Sequence, residues 1–128
     1  MQTNRFLVVD DEESIRDILS HTLEDAGYAA VSAASAEEAL SIMRDNPAWT
    51  LFLDLKLPGM DGNELCRAIR KDWPMAIPYA VTGFATLFEL AACRDAGFED
   101  YFLKPLDRKL ILDTAAYTVK KLERWTKR

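Results

Sequence analysis

The chain has 128 residues, of which 49% are apolar and 29% charged, a balance that suits one folded domain with one core and excludes a disordered segment. Residues 1–103 carry 8 basic and 18 acidic side chains, a net charge of −10, whereas residues 104–128 carry 8 basic and 3 acidic, a net charge of +5. The acidic body argues against direct nucleic-acid binding, and no apolar run approaches the roughly 20 residues of a membrane span.

Taken in order, the chain alternates between two kinds of segment. "RFLVV" (5–9) is a short apolar, β-rich run. "DEESIRDILSHTLEDAG" (11–27) spaces Ile15, Ile18, Leu19, Thr22 and Leu23 as one helix face, opens on acids and stops at Gly27. "YAAVSA" (28–33) is a weaker strand. "SAEEALSIMRDN" (35–46) opens with a capping box, Ser35 followed by Glu38, and ends before Pro47. "TLFLD" (50–54) is a third strand, and "GNELCRAIRKDW" (62–73) a helix with Leu65, Cys66 and Ile69 inward. "IPYAVT" (77–82) is a fourth strand, and "ATLFELAACRDAG" (85–97) a helix stopped by Gly97. "DYFLK" (100–104) is the fifth strand, followed by a long closing helix over 107–127.

Strands separated by helices imply right-handed crossovers and a parallel sheet covered on both faces. The expectation is a single α/β domain over residues 1–128, built as (βα)5. The late cations of the closing helix favour its dipole. "MQTNRFLVVDDEES" has too short an apolar run for a signal peptide. Cys66 and Cys93 stand in helical contexts without CxxC or Cys/His spacing and read as small core residues in a reducing cytoplasm. One histidine, His21, is too little for a His-based metal site and reads as a surface residue.

In an open parallel sheet, functional groups collect at the carboxyl ends of the strands. Strand 1 ends in Asp10 and Asp11, strand 3 in Asp54, strand 4 in Thr82, and strand 5 in Lys104 followed by Pro105. Three neighbouring carboxylates repel one another and push at least one pKa upward. A hard divalent cation relieves that conflict, and oxygen-only ligands suit Mg²⁺. Together with Lys104 such an ion makes a pocket for an anion with several oxygens, most simply a phosphoryl group, to which Thr82 can donate. A carboxylate can itself be the nucleophile, so the chemistry indicated is capture of a phosphoryl group by an aspartate.

These residues make the chain similar to the receiver domain of two-component response regulators. "VVDDE" carries the acidic pair, "LFLDLKLPGMDG" the acceptor, "AVTG" the switch hydroxyl, and "DYFLKP" the aromatic and the lysine. The resemblance covers nearly the whole chain and implies a flavodoxin-like sheet of order 2-1-3-4-5. It implies that Asp54 accepts phosphate from a phosphohistidine of a sensor histidine kinase or phosphotransfer domain, or from a small phosphodonor. It implies that Asp11, Asp54 and the Lys56 backbone carbonyl ligate Mg²⁺, with Mn²⁺ as an alternative, and that Asp10 acts through water. Lys104 pairs with the phosphoryl oxygens in this scheme, and the Lys104–Pro105 bond is cis. Thr82 moves toward the phosphate, Tyr101 rotates inward, and the surface of the fourth helix, fifth strand and fifth helix changes to meet a downstream protein or output domain. The implied role is a cytoplasmic signalling switch and not an enzyme.

Each residue also has a plain local explanation. Asp10 and Asp11 can begin the first helix, Asp54 can open an Asx-type turn before "PG", Thr82 can be a β-branched strand residue, Lys104 a solvated turn residue, and Tyr101 simple core. Trp49, Trp73 and Trp125 read as packing at loops and helix ends. Lys56 sets a long cation beside the pocket, free to pair with the carboxylates or the phosphate. Phe84 stands where it can shield an acyl phosphate from water, and with Lys56 it predicts slow hydrolysis. On an ideal fourth helix Leu90 and Ala91 face the sheet, leaving Leu87 and Phe88 toward solvent; exposed apolar groups mark contact sites. A partner or homodimer surface is therefore expected around Phe88, Tyr101 and the last helix.

Other functions fit less well. An aspartate-nucleophile phosphatase of the haloacid-dehalogenase type wants a second Asp two residues after the nucleophile, where Lys56 stands. A receiver-like module acting by protein binding without phosphorylation has Lys56 in its favour and the full set of acids against it. A nucleotide-binding flavodoxin relative is disfavoured by an acidic, not glycine-rich, loop after the first strand.

Overall fold

The computed structural model describes residues 2–127. Among the described residues ten elements alternate: β1 (Arg5–Val9), α1 (Glu13–Asp25), β2 (Ala29–Ala33), α2 (Ala36–Asp45), β3 (Thr50–Asp54), α3 (Gly62–Asp72), β4 (Ile77–Thr82), α4 (Leu87–Ala96), β5 (Asp100–Leu103) and α5 (Arg108–Thr126). All strand pairs are parallel, and the sheet order is β2-β1-β3-β4-β5. The expected (βα)5 fold and strand order both hold.

The period of two along each strand divides the core into two layers. Leu7, Val9, Leu51, Leu53 and Ala80 join Met43, Leu65, Ile69, Cys93 and Ala96, so α2, α3 and α4 cover one face. Phe6, Val8, Phe52, Tyr79, Val81 and Phe102 join Leu19, Leu23, Ile111, Ala115 and Leu122, so α1 and α5 cover the other. Phe52 lies at the centre of the second layer, with ring centroids 5.6 Å from Tyr79, 5.9 Å from Phe102 and 6.3 Å from Phe6. Such aromatic neighbours add to area burial alone. The buried Tyr79 hydroxyl meets Thr118 Oγ1 at 2.7 Å.

Helix ends follow their caps. Ser35 accepts from the Glu38 N–H at 3.2 Å, and the Glu38 carboxylate reaches back to the Ala34 N–H. Asp61 accepts from the Glu64 N–H and so starts α3 at Gly62. Thr86 and Glu89 form a reciprocal capping box that starts α4 at Leu87, two residues later than expected. Gly97 closes α4 at φ 106°, a left-handed conformation that favours glycine.

Several expectations about helix faces need correction. Ile18 is 52% exposed; α1 is seated by Leu19, Thr22 and Leu23, with Ile15 packed at the edge of the core. Ala91 is exposed and Leu90 half-buried. The buried stripe of α4 runs through Cys93 and Ala96, rotated from the ideal assignment. Leu87 and Phe88 do point outward, at 84% and 89% exposure. His21 is exposed, Trp49 and Trp73 pack on the core edge, and Trp125 is exposed. Both cysteines are buried and free, and burial pushes the Cys66 thiol up to about 12, so it stays protonated. No helix among the described residues is long and apolar enough to cross a membrane.

Candidate functional site

Strand register brings the polar groups together. Val9 pairs with Leu53, so Asp10, one step past β1, stands beside Asp54 at the end of β3. Asp54 pairs with Val81 and Thr82 with Leu103, so Thr82 and Lys104 follow along the same rim. The sheet reverses winding direction between β1 and β3, and the crevice outside the carboxyl ends of such strands is where this architecture places ligands.

Asp10 and Asp54 are 1% and 4% exposed, which makes their charges costly unless compensated. Lys104 Nζ provides part of that compensation at 3.0 Å from Asp10 Oδ2, and at 3.9 Å from both Asp54 Oδ2 and Glu12 Oε1. Burial works against the Lys104 ammonium, but its hydrogen bond to Asp10 and the charges of Asp54, Asp10 and Glu12 outweigh that and raise its pKa. The Lys104 N–H donates to the Thr82 carbonyl at 2.8 Å, and the Lys104–Pro105 peptide is cis, as expected. Arg16 fixes the other side of the rim by donating from Nη1 to the Asp10 carbonyl at 2.9 Å.

The Asp54 carboxyl is raised from 3.8 to about 6. Desolvation is the main cause; the Lys56 N–H pulls downward, Asp10 pushes up, Lys104 pulls down and Asp11 pushes up. One ammonium therefore leaves an excess of negative charge among Asp10, Asp11, Glu12 and Asp54. Carboxylate oxygens of Asp10, Asp11 and Glu12 all lie within 4.8 Å of one another. An all-oxygen set with uncompensated charge and an acid held near neutrality fits a hard divalent cation. Asp11 is exposed, and it lines a cavity of about 580 Å³ beside the acids together with Lys56, Asn63 and Glu89.

The local reading of Asp54 as an Asx turn holds alongside its convergence, whereas that of Asp10 and Asp11 as the start of the first helix does not. Asp54 Oδ1 accepts the Lys56 N–H at 3.2 Å and Asp10 Oδ1 the Glu12 N–H at 2.9 Å, both two residues on, as in Asx turns. Helix α1 starts only at Glu13, so Asp10 and Asp11 lie in the loop before it. Thr82 is fully buried and its Oγ1 donates to the Phe84 carbonyl at 2.9 Å; the Phe84 side chain itself is exposed. Tyr101 is 42% exposed, which overturns the reading of it as simple core. Phe88 stands apart from the rim on the outer face of α4. The Lys56 ammonium pairs with Glu89 Oε2 at 3.2 Å, not with the aspartates.

Four participants escaped the sequence. Glu12 belongs to the acid cluster, and its only signal was its place after Asp10 and Asp11. Glu89 holds Lys56, and the Thr86–Glu89 spacing was a readable capping box. Arg16 buttresses the Asp10 backbone with no local pattern to announce it. Gly62 lies so close to Asp54 that an added Cβ would strike the Asp54 carbonyl oxygen and come within 2.7 Å of Leu55 Cα.

Residues 6–116 match a family model described as the response regulator receiver domain. Among curated relatives, the chain is 38% identical over 109 residues to a probable transcriptional regulator ycf27 of Porphyridium aerugineum, covering 85% of this chain and 45% of the relative. It is 35% identical over 122 residues to a putative response regulator NtrX-like of Rickettsia conorii, covering 92% of this chain and 26% of that protein. The chain thus spans less than half the length of either. Among solved structures, a CheY-like response regulator receiver domain protein from Methanospirillum hungatei JF-1 aligns at TM-score 0.89 and 32% identity, covering 94% of this chain and 96% of that one. With the strand order, the acidic rim and these matches in agreement, the chain belongs to the response regulator receiver domains, the phosphorylation-controlled switches of two-component signalling.

Proposed function

We propose that Asp54 is the phospho-acceptor of this switch. A carboxylate oxygen of Asp54 attacks phosphorus on the phosphohistidine of a sensor histidine kinase or phosphotransfer domain, or on a small phosphodonor. The new oxygen–phosphorus bond forms as the bond from phosphorus to its donor breaks, and the electron pair returns to the imidazole nitrogen of a phosphohistidine or to the carboxylate oxygen of an acyl phosphate. Lys104 spans Asp10 and Asp54 and takes a phosphoryl oxygen as charge builds there. Asp11, Asp54 and the Lys56 backbone carbonyl would hold Mg²⁺ or Mn²⁺, with Asp10 contributing through water, and a bound ion would supply neutralisation of charge on the phosphoryl oxygens. Thr82 exchanges its bond to the Phe84 carbonyl for one to the phosphoryl group, and Tyr101 turns inward from its exposed position. The surface carrying Phe88 and Tyr101 on α4, β5 and α5 then engages a downstream protein, an output domain or a second copy of the chain in the cytoplasm.

The observation that carries this reading is the meeting of Asp10, Asp54 and Lys104 at one rim, with charge on Asp54 left over for a cation. Engagement of Lys56 with Glu89 leaves the Asp54 carboxylate unpaired with the Lys56 ammonium, which favours phosphorylation over a binding-only module. Incubation with Mg²⁺ and acetyl phosphate is expected to add one phosphoryl mass to the protein and none to Asp54→Asn. Intact mass spectrometry reads the outcome; an equal gain in both proteins, or in neither, contradicts it.

A further inference from the structure

Lys56 serves two elements at once. Its backbone N–H donates to Asp54 Oδ1, while its ammonium crosses to Glu89 Oε2 in the first turn of α4. Glu89 is already engaged there: its Oε1 accepts the Thr86 N–H at 3.2 Å, and its own N–H donates to Thr86 Oγ1 at 3.1 Å. The loop after Asp54 is thereby tied to the start of α4, on the segment that begins with Thr82. Asp11, Lys56 and Glu89 line one cavity, and Asp11 is also within electrostatic reach of Asp54. A long, exposed cation, paired at present with Glu89, therefore shares a cavity with an acid of the rim, Asp11.

We propose that the Lys56 ammonium is a latch, holding the first turn of α4 in the resting protein and leaving Glu89 when Asp54 carries a phosphoryl group. The proposal rests on Asp54 being the acceptor. An exposed ion pair contributes little on its own and is readily exchanged. A phosphoryl group presents more charge and more acceptor oxygens than one solvated carboxylate. Release changes how Phe84, Leu87 and Phe88, all exposed on this segment, are displayed. Lys56 is in this sense a positioning residue, acting through Glu89.

Coupling of this kind is reciprocal. If the phosphoryl group draws Lys56 from Glu89, then removing the Glu89 charge strengthens binding at Asp54. The test is titration of the full chain with fluoroberyllate in Mg²⁺, followed by ¹⁹F NMR, for wild type, Glu89→Gln, Lys56→Met and the double variant. Glutamine still accepts the Thr86 N–H, so the cap survives and only the ion pair is lost. Glu89→Gln is expected to bind the mimic about two- to five-fold more tightly than wild type, the range an exposed ion pair allows. In the Lys56→Met background the same change is expected to have no effect. Equal affinities of wild type and Glu89→Gln, or an equal gain in both backgrounds, overturn the latch while leaving Asp54 as acceptor. Failure of wild type to bind fluoroberyllate at all overturns the acceptor and the latch together.

Discussion

Asp54→Asn, which removes the proposed acceptor, is expected to stabilise the metal-free protein at pH 8 by about 2 kcal/mol, after allowance for solvent screening at the rim. The sign follows from the direction of the shift. The Asp54 pKa is raised from 3.8 to about 6, chiefly by desolvation, so the folded protein holds this proton more tightly than the unfolded chain. Its favourable contribution is complete below pH 3.8 and is lost as pH rises through about 6. Asparagine does not titrate and escapes that loss. Urea denaturation in a chelating buffer is expected to give Asp54→Asn the higher midpoint at pH 8 and to show the advantage vanishing near pH 4. Mg²⁺ narrows the gap by binding the folded wild type. A variant less stable than wild type at pH 8 contradicts an acceptor held at an electrostatic cost.

Gly62→Ala is expected to cost about 3 kcal/mol and to slow phosphoryl uptake as well. Gly62 opens α3, and its N–H donates to the Leu55 carbonyl at 3.1 Å. The three nearest neighbours of an added Cβ are all backbone: the Asp54 carbonyl oxygen, Leu55 Cα at 2.7 Å and the Asp54 carbonyl carbon at 3.0 Å. No rotamer change relieves that crowding, so either the end of β3 or the start of α3 must shift. The gain of about 1 kcal/mol in helix propensity from Gly to Ala is too small to compensate. Urea denaturation measures the stability loss and the half-time of acetyl phosphate labelling measures the second effect. A variant as stable as wild type means that the approach of α3 to Asp54 is looser than described.

The parts of the fold that were legible are those where one force dominates. Strands β1, β3 and β4 announce themselves because burial on both faces demands unbroken apolar runs. Leu65, Cys66 and Ile69 were placed correctly because α3 has one buried stripe. Ile18 and Ala91 misled because a helical apolar position becomes core only if the opposing surface reaches it, and that is a tertiary property. The convergence at the rim could be read from strand ends, since register fixes what stands past each strand. The destination of the Lys56 ammonium could not, because a four-carbon stem reaches several acids and only packing selects Glu89. Glu12 is obscured by its more conspicuous neighbours, and Gly62 reads only as the first residue of the helix over 62–73 although its lack of a side chain is what lets α3 approach the acceptor.

Borohydride reduction of the acetyl phosphate–treated protein, followed by peptide mass mapping, tests the central claim at the level of a single atom. An acyl phosphate is reduced to an alcohol, so a phosphorylated aspartate becomes homoserine while unmodified carboxylates are untouched. Homoserine at position 54, dependent on Mg²⁺, is the expected result. Homoserine at Asp10 or Asp11, or at no aspartate in a protein that binds Mg²⁺, contradicts the assignment.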